Sequence, residues 1–305
     1  MADISETPVI MQCAGWDGYR LLDSGAGRKY EAFGPHAFIR PEPQALWQPR
    51  LADWPAAGEF VPGSDEDGGG RWVMAPGGAP GAGVPEAGWE ISWDDVRFTA
   101  SPTPFRHLQF FPDMAPVWEW MRAQLAGQTD AQTMNLFGYT GLGTLALSRH
   151  GAVTHVDASK KSVAQARENA ALSGMEDRAI RWLVDDAAKF TAREVRREKR
   201  YDGIILDPPK FGRGPKNETW RLEEGLPGLI RDCAALLDAD SRFLFLTVYA
   251  VRMSSVALAG LLDEALAHLP GVVEHGDLAV REEPIEGRPL RLLPTAIFAR
   301  WSNPG

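Results

Sequence analysis

The stretch Asn135-Leu-Phe-Gly-Tyr-Thr-Gly-Leu-Gly143 constrains the fold of this chain more than any other. An apolar run, Thr133 to Phe137, leads into it, and a short helical pattern, Thr144 to His150, leads out. Gly138, Gly141 and Gly143 place three glycines in six residues at a strand-to-helix turn. Without a Cβ the backbone can turn tightly and lie close against a ligand. The following helix adds unpaired N–H groups and the positive end of its dipole. Together these predict a nucleoside-cofactor loop. They do not choose the cofactor, because Gly141-Leu-Gly-Thr-Leu-Ala146 also fits the G-x-G-x-x-A form of an NAD site.

Downstream of residue 131 strand and helix patterns alternate, the mark of an α/β sheet. Strands are expected at 132–137, 152–156, 179–184, 201–206 and 242–249. Two more, 272–280 and 291–300, follow without a helix between them and predict an antiparallel pair ending an otherwise parallel sheet. Helical faces are carried by Met114–Leu125, by Ser159–Ser173 with Ser159 as N-cap and Gly174 past its end, by Leu222–Leu237, and by the segment after Ser254. A Rossmann-like sheet preceded by a small β-rich domain is the expected fold, with the boundary between residues 1–100 and 101–305.

Residues 1–100 read differently. They hold six of the eleven tryptophans and many Gly and Pro. Tyr19–Leu22, Lys29–Phe33 and Ala37–Arg40 are short strand-like pieces, Pro62–Gly88 is a long loop or hairpin tip, and Trp89–Thr99 resumes alternation. Ser101–Asp113 is a bridge rich in Pro and aromatics. The charge divides at the same place. Fifteen Asp/Glu face seven Lys/Arg in residues 1–100, whereas 26 face 25 in the remainder. The net charge of −9 therefore belongs to the N-terminal region and does not exclude nucleic acid for the rest. Two cysteines, Cys13 and Cys233, allow no disulfide framework and no Cys-x-x-Cys metal pair. With no apolar leader in Met1–Ile10 and no bilayer-length apolar run, a cytoplasmic protein without metal is expected.

Three acidic sites follow the loop. Asp157, with Ala158 and Ser159, ends the second strand 19 residues beyond Gly138, where a carboxylate accepts from both ribose hydroxyls of a nucleoside. Asp185-Asp186-Ala187 ends the third strand. One carboxylate there suits an adenine amino group and the other a helix cap, with Asp186 favoured for adenine. Asp207-Pro-Pro-Lys-Phe211 follows Tyr201–Leu206 and is the most specific signal in the chain. Pro208 and Pro209 stiffen the sheet's C-terminal edge, Asp207 can orient a substrate N–H or a cofactor group, and Phe211 offers a face to a planar base. Lys210 is too basic to serve as a proton acceptor unless strongly perturbed.

The order NLFGYTGLG, VDAS, DDA, DPPKF resembles the class I S-adenosylmethionine-dependent methyltransferases. Within them it is similar to the bacterial large-subunit ribosomal RNA methyltransferases with a D-P-P-[KT]-F motif, some of which modify cytosine C5 and others guanine N7. The resemblance covers about residues 101–300. It implies S-adenosylmethionine as cofactor and a seven-stranded sheet with its last strand reversed. It implies cofactor contacts from Asn135, Phe137, Gly138, Tyr139, Thr140 and Gly141, and from Asp157 to Ser159, Asp185 to Ala187 and Asp207. It also implies that the segment from His107 to Asp113 packs over the cofactor.

Two departures matter. Cytosine C5 needs a cysteine thiolate to add to C6. Ala250 stands near the position where the cytosine-modifying relatives carry it, and Cys233 lies on an apolar helix face. Direct transfer to nitrogen or oxygen needs only orientation and disposal of a proton. The acidic residues 1–100 match no evident RNA-binding domain. Against that, Lys210–Arg221 sets four basic residues and two aromatics beside one acid, and Lys189–Arg200 sets six basic residues beside two acids. The former suits RNA and the latter reads equally as solvated surface. A methyltransferase of RNA is thus expected, with small-molecule or protein methylation, an NAD-dependent dehydrogenase and a non-catalytic cofactor-binding protein as rivals.

Overall fold

A computed structural model describes residues 3–63, 69–75, 83–249 and 252–303. The proposed position of the missing cysteine, Ala250, and most of Asp65–Gly70 lie outside the described residues. In chain order the strands of the first third are β1 (Asp3–Ile4), β2 (Val9–Cys13), β3 (Tyr19–Gly25), β4 (Arg28–Phe33), β5 (His36–Pro41), β6 (Gly58–Pro62), β7 (Gly70–Met74), β8 (Trp89–Trp93) and β9 (Val96–Ala100). Helix α1 (Ala115–Gln124) follows, then β10 (Ala131–Leu136), α2 (Leu142–Leu147), β11 (Gly151–Asp157), α3 (Lys160–Leu172), β12 (Ile180–Val184), α4 (Ala187–Arg196) and β13 (Gly203–Leu206). The remainder is β14 (Phe211–Arg213), β15 (Thr219–Arg221), α5 (Leu222–Ala235), β16 (Phe243–Tyr249), α6 (Ser255–Leu266), β17 (Val272–Arg281) and β18 (Leu292–Ser302).

The chain forms two compact units. One comprises Met1–Met11, Pro116–Leu278 and Ala296–Gly305; the other comprises Gln12–Ala115 and Ala279–Thr295. The compositional boundary at residue 100 falls inside the second unit, to which the chain returns near its end.

The first unit is built on one sheet ordered β1-β17-β18-β16-β13-β10-β11-β12, with β2 also paired to β17. Strands β12, β11, β10, β13 and β16 pair in parallel, and β18 runs antiparallel to β16. The expected seven strands and reversed last strand are present; β1 and β2 extend the sheet to nine. From β10 the chain winds outward through β11 to β12, then returns to place β13 on the other side of β10. That reversal opens a crevice at the carboxyl ends of β10 and β13, where open α/β sheets bind ligands. Residues of β13 and β16 are buried throughout most of their length because helices cover them. Helix α5 buries Leu222, Leu226, Leu229, Ile230 and Cys233 in the same core as Ile204, Leu206, Leu244 and Leu246. Each such leucine contributes about 1.5–3 kcal/mol.

The basic run Lys189–Arg200 is mostly helix α4, not an open surface loop. Phe190, Thr191 and Glu194 form its buried side, while the cations from 196 onward are exposed. Ser159 accepts from Ser162 N and Ser254 from Val256 N, so both expected caps are in place.

The second unit holds the five-stranded sheet β3-β4-β5-β6-β7 and the β8–β9 hairpin. Two buried charge clusters organise it. Glu31 receives Arg40 through two 2.7 Å bonds and Tyr19 Oη at 2.8 Å. Asp23 accepts from the backbone N–H of Ser24, Arg50 and Leu51, from Trp54 Nε1 and from Arg291 Nη2. Arg291 also binds Glu282 Oε1 at 2.7 Å, which fixes the returning segment on β3 through Ser24 and the Leu21–Glu283 backbone bond.

Removing the cation from the first cluster tests its weight. Burial pushes the Glu31 carboxyl up, but Arg40 and then Lys29 outweigh it and hold it below its ordinary value. The pair therefore stabilises the fold fully above about pH 4.5 and loses that contribution as the pH falls through the depressed folded value. Arg40→Met is expected to cost about 3–5 kcal/mol near neutrality. In that variant burial acts without the guanidinium, the folded value rises, and the deficit shrinks toward acid pH. Urea titrations followed by tryptophan fluorescence at pH 7 and pH 4 measure both effects.

Candidate active site

The glycine loop lies at the switch between β10 and β13. Its backbone is held in an unusual conformation: Phe137 and Tyr139 have φ of +57° and +47°, and Gly141 has +85°. For the two non-glycine residues this costs about 1–2 kcal/mol each and persists only where the surroundings over-determine it. The surroundings do so here. A Cβ on Gly138 would stand 2.5 Å from His155 Cε1 and Nδ1, and one on Gly141 would stand 2.8 Å from Ala166 Cβ. The loop therefore rests directly on β11 and α3.

Beneath it runs a buried polar chain that sequence reasoning missed. Asn135 Nδ2 donates to Thr144 Oγ1 at 3.0 Å, and Thr144 Oγ1 meets His155 Nδ1 at 2.8 Å. Either neutral tautomer satisfies this contact, with the hydroxyl donating to a bare Nδ1 or accepting from Nδ1–H. Burial pushes His155 down to about 3, so it stays neutral at physiological pH. In the sequence His155 sits within Val-Thr-His-Val and carries no motif; only its distance from Gly138 reveals it.

Asp157 closes the loop from the adjacent strand. Its Oδ2 accepts Tyr139 N at 2.9 Å and its Oδ1 accepts Ser159 N at 2.8 Å. Burial raises the carboxyl, partly offset by these two amides. Two backbone bonds leave acceptor capacity on both oxygens, as a ribose diol requires. Asp185 N donates to Asp157 O at 3.0 Å, which aligns the ends of β11 and β12. Of the following pair, Asp186 is the cap of α4, accepting Lys189 N at 2.9 Å. Asp185 accepts Asp186 N on Oδ1 and Arg193 on Oδ2.

Asp207 continues from β13, half-buried, with Pro208 buried and Pro209 and Lys210 exposed. Phe211 is 56% exposed, and Lys210 Nζ stands 5.3 Å from its ring centroid. The segment after the prolines is a short hairpin, β14 against β15, pairing Phe211 with Arg221 and Gly212 with Trp220. Lys189 Nζ binds Glu218 Oε1 at 2.8 Å at the hairpin's far end, and Glu218 Oε2 also accepts Lys216 N. The basic and aromatic run Lys210–Arg221 is therefore a hairpin rather than an open loop. The β10–β13 switch thus brings Asn135 to Gly141, Asp157 to Ser159, Asp185 to Ala187 and Asp207 to Phe211 to one edge of one sheet. His107 belongs to the other unit, where it stacks on Phe105 at 5.7 Å and meets Phe111 at 5.4 Å. Burial, then Arg40 and Arg106, lower it to about 4.

A loop without Cβ atoms at its closest approaches, backed by a carboxylate with acceptor capacity to spare, fits a nucleoside cofactor. A model of the S-adenosylmethionine-dependent methyltransferase family matches residues 77–260. The chain belongs to that family. Its cofactor is S-adenosylmethionine, which sets aside the NAD-dependent alternative. The crystal structure of the SAM-dependent methyltransferase from Agrobacterium tumefaciens is similar over 99% of this chain and 95% of that one, with 38% identity and a TM-score of 0.89. SMU.776, solved with SAH, shares the fold at 15% identity and a TM-score of 0.67, over 93% of this chain and 75% of that one.

Curated relatives are similar over shorter stretches. Ribosomal RNA large subunit methyltransferase I from Alteromonas mediterranea is 36% identical over 27% of this chain and 21% of its own length. Methyltransferase K/L from Pseudomonas aeruginosa is 29% identical over 49% of this chain and 19% of its own. The chain thus spans about a fifth of the length of these relatives. Among the described residues no helix is long and apolar enough to cross a membrane.

The contact at Gly138 makes a direct test of the methyltransferase site. Gly138→Ala must push the loop off His155 and is expected to weaken S-adenosylhomocysteine binding about tenfold or more in calorimetry, a loss of about 1.4 kcal/mol. Unchanged affinity would show that the loop does not hold the cofactor.

Proposed function

We propose that this S-adenosylmethionine-dependent methyltransferase acts on RNA in the cytoplasm, with large-subunit ribosomal RNA as the leading substrate. The transfer is a direct displacement at nitrogen without a cysteine nucleophile. The observation that carries this reading is the exposed ring of Phe211 immediately after Asp207, leading into a hairpin whose Arg213, Lys216 and Arg221 are also exposed. A ring stacks an unpaired base, and cations beside it follow the phosphates. The likeness to ribosomal RNA large subunit methyltransferases supports the same substrate.

In this reading residues 101–305 carry the transfer and the acidic residues 1–100 are an accessory domain. Asp157, flanked by Ala158 and Ser159, takes the ribose. Asp186, through the oxygen that does not cap α4, takes the adenine amino group beside Ala187, with Asp185 steadied by Arg193 behind it. Asn135 and Phe137 to Gly141 lie along the amino-acid end. The cofactor supplies an electrophilic methyl group on sulfonium. Asp207 orients the acceptor N–H, and Pro208, Pro209 and Lys210 hold the turn that presents Phe211.

Both cysteines support a route without covalent addition. Cys233 is fully buried, and burial, reinforced by Asp232, pushes its thiol far above the usual range. Cys13 is buried and donates to Pro112 O at 3.4 Å. The acidity of residues 1–100 favours a second reading, in which the acceptor is a protein or small molecule.

The experiment is transfer of labelled methyl from S-adenosylmethionine to ribosomal subunits from a strain lacking this protein, followed by nucleoside analysis. A base methylated at nitrogen is expected. Formation of 5-methylcytidine would overturn the direct route, and label confined to protein would establish the second reading. Asp207→Asn is expected to lower kcat by about 10²-fold or more with cofactor affinity retained. Arg213→Ala with Lys216→Ala is expected to raise KM for RNA and reduce its salt dependence by about two counterions.

A further inference from the structure

Trp220 occupies a position that neither the cofactor site nor the basic surface explains. It lies on β15 and is buried to 7% exposure. Its Nε1 donates to Pro209 O at 2.7 Å, inside the Asp207–Phe211 turn. Its ring meets that of Phe137 at 5.3 Å with planes tilted by 53°. Phe137 is the first residue of the glycine loop and one of its two strained non-glycine positions. One side chain therefore touches both the loop that ends β10 and the turn that ends β13.

The seat for the indole is made specifically. A Cβ on Gly225, in the first turns of α5, would stand 2.6 Å from Trp220 Cζ3. Glycine in a helix costs about 1 kcal/mol relative to alanine, and here it admits the ring. The backbone beside it is tied as well: Leu222 N donates to Lys210 O at 3.0 Å. The hairpin's far end is pinned by Glu218 to Lys189, whose own N–H is capped by Asp186. The hairpin is thus held at its base by Trp220 and at its tip by a helix that starts at the cofactor edge.

We propose that Trp220 is a positioning residue that couples occupancy of the cofactor loop to the order of the acceptor-side hairpin, residues 211–221. A cofactor that fixes the loop fixes Phe137. Phe137 bears on the indole, and the indole N–H holds the Pro209 carbonyl and with it the direction in which Phe211 is presented. The inference uses the loop and the Asp207–Phe211 turn as the two sides of methyl transfer. It does not depend on the acceptor being RNA.

The test is hydrogen exchange on the full chain with and without saturating S-adenosylhomocysteine, so no acceptor is needed. In the wild type the ligand is expected to slow exchange in 211–221 by about tenfold, as for a segment whose local opening is suppressed. Trp220→Phe keeps a ring against Phe137 and deletes the N–H donor. It should bind the ligand within about twofold of wild type and keep its ligand-free hairpin protection, yet lose the ligand-dependent gain. Phe137→Leu, which leaves Trp220 and its bond intact, should lose the gain too. A wild-type hairpin indifferent to the ligand, or a Trp220→Phe hairpin that responds fully, overturns the proposal. Loss of hairpin protection in Trp220→Phe even without ligand also overturns it, by making the residue a structural support only.

Discussion

The cofactor loop of this methyltransferase depends on one close approach: the backbone at Gly138 lies where a side chain would collide with His155. That contact fixes the height of the loop above β11. It also explains why a histidine is tolerated in a buried strand. Its Nδ1 is tied through Thr144 to Asn135, one residue before β10 ends. With the imidazole neutral and bonded on its loop side, the strain at Phe137 and Tyr139 is opposed by packing below and by the Tyr139–Asp157 bond beside. The carboxylate that suits a ribose is thus also part of what shapes the loop.

The same economy governs the other side of the crevice. The prolines after Asp207 set the chain's direction, but a turn of this kind must be closed by something. Trp220 and Leu222 close it by donating to the carbonyls of Pro209 and Lys210. The hairpin is only three residues on each strand, too short to be stable by itself in water. Its persistence rests on an aromatic ring packed in the core at position 220, for which Gly225 makes room, and on the Lys189–Glu218 pair at its tip. That pair, with its lysine exposed, is worth little energetically and serves mainly to choose one orientation.

Much of this was legible in the sequence, for identifiable reasons. The strands of the large sheet are apolar runs bounded by turn residues, and each expected strand from β10 onward is present. The caps Ser159 and Ser254 announced their helices by residue type. The acidic ends of β11, β12 and β13 follow from where an α/β sheet puts its ligand. Other features depend on distance in space. Thr144 and His155 are ordinary residues until the loop is laid on them. The hairpin has strands too short to show alternation, and the buried side of α4 was hidden among Lys189, Arg193 and Arg196. Arg291 and Glu282 belong with Asp23 and Ser24 through contacts more than 250 residues apart in sequence, which no local pattern records. The choice between adenine and capping at Asp185-Asp186 was visible as a choice, and the structure gives the cap to Asp186.

The arrangement at the end of β13 also narrows the chemistry. A methyl acceptor must be oriented by a group that can accept its N–H, and the turn offers a carboxylate and several carbonyls. Pro209 O already receives the Trp220 indole, and Lys210 O receives Leu222 N. Both carbonyls are therefore directed into the hairpin, which leaves the Asp207 carboxylate, in the function proposed above, as the group to orient the acceptor. A carboxylate there favours an acceptor that carries a proton on nitrogen over a bare ring carbon, since it can hold the N–H in line and receive the proton as the methyl arrives. A ring carbon would instead need a thiolate to raise its electron density. The cysteine nearest in sequence, Cys233, is sealed in the core under α5, with its thiol stabilised in the protonated form. The same burial that makes α5 a good cover for the sheet removes covalent catalysis by that residue.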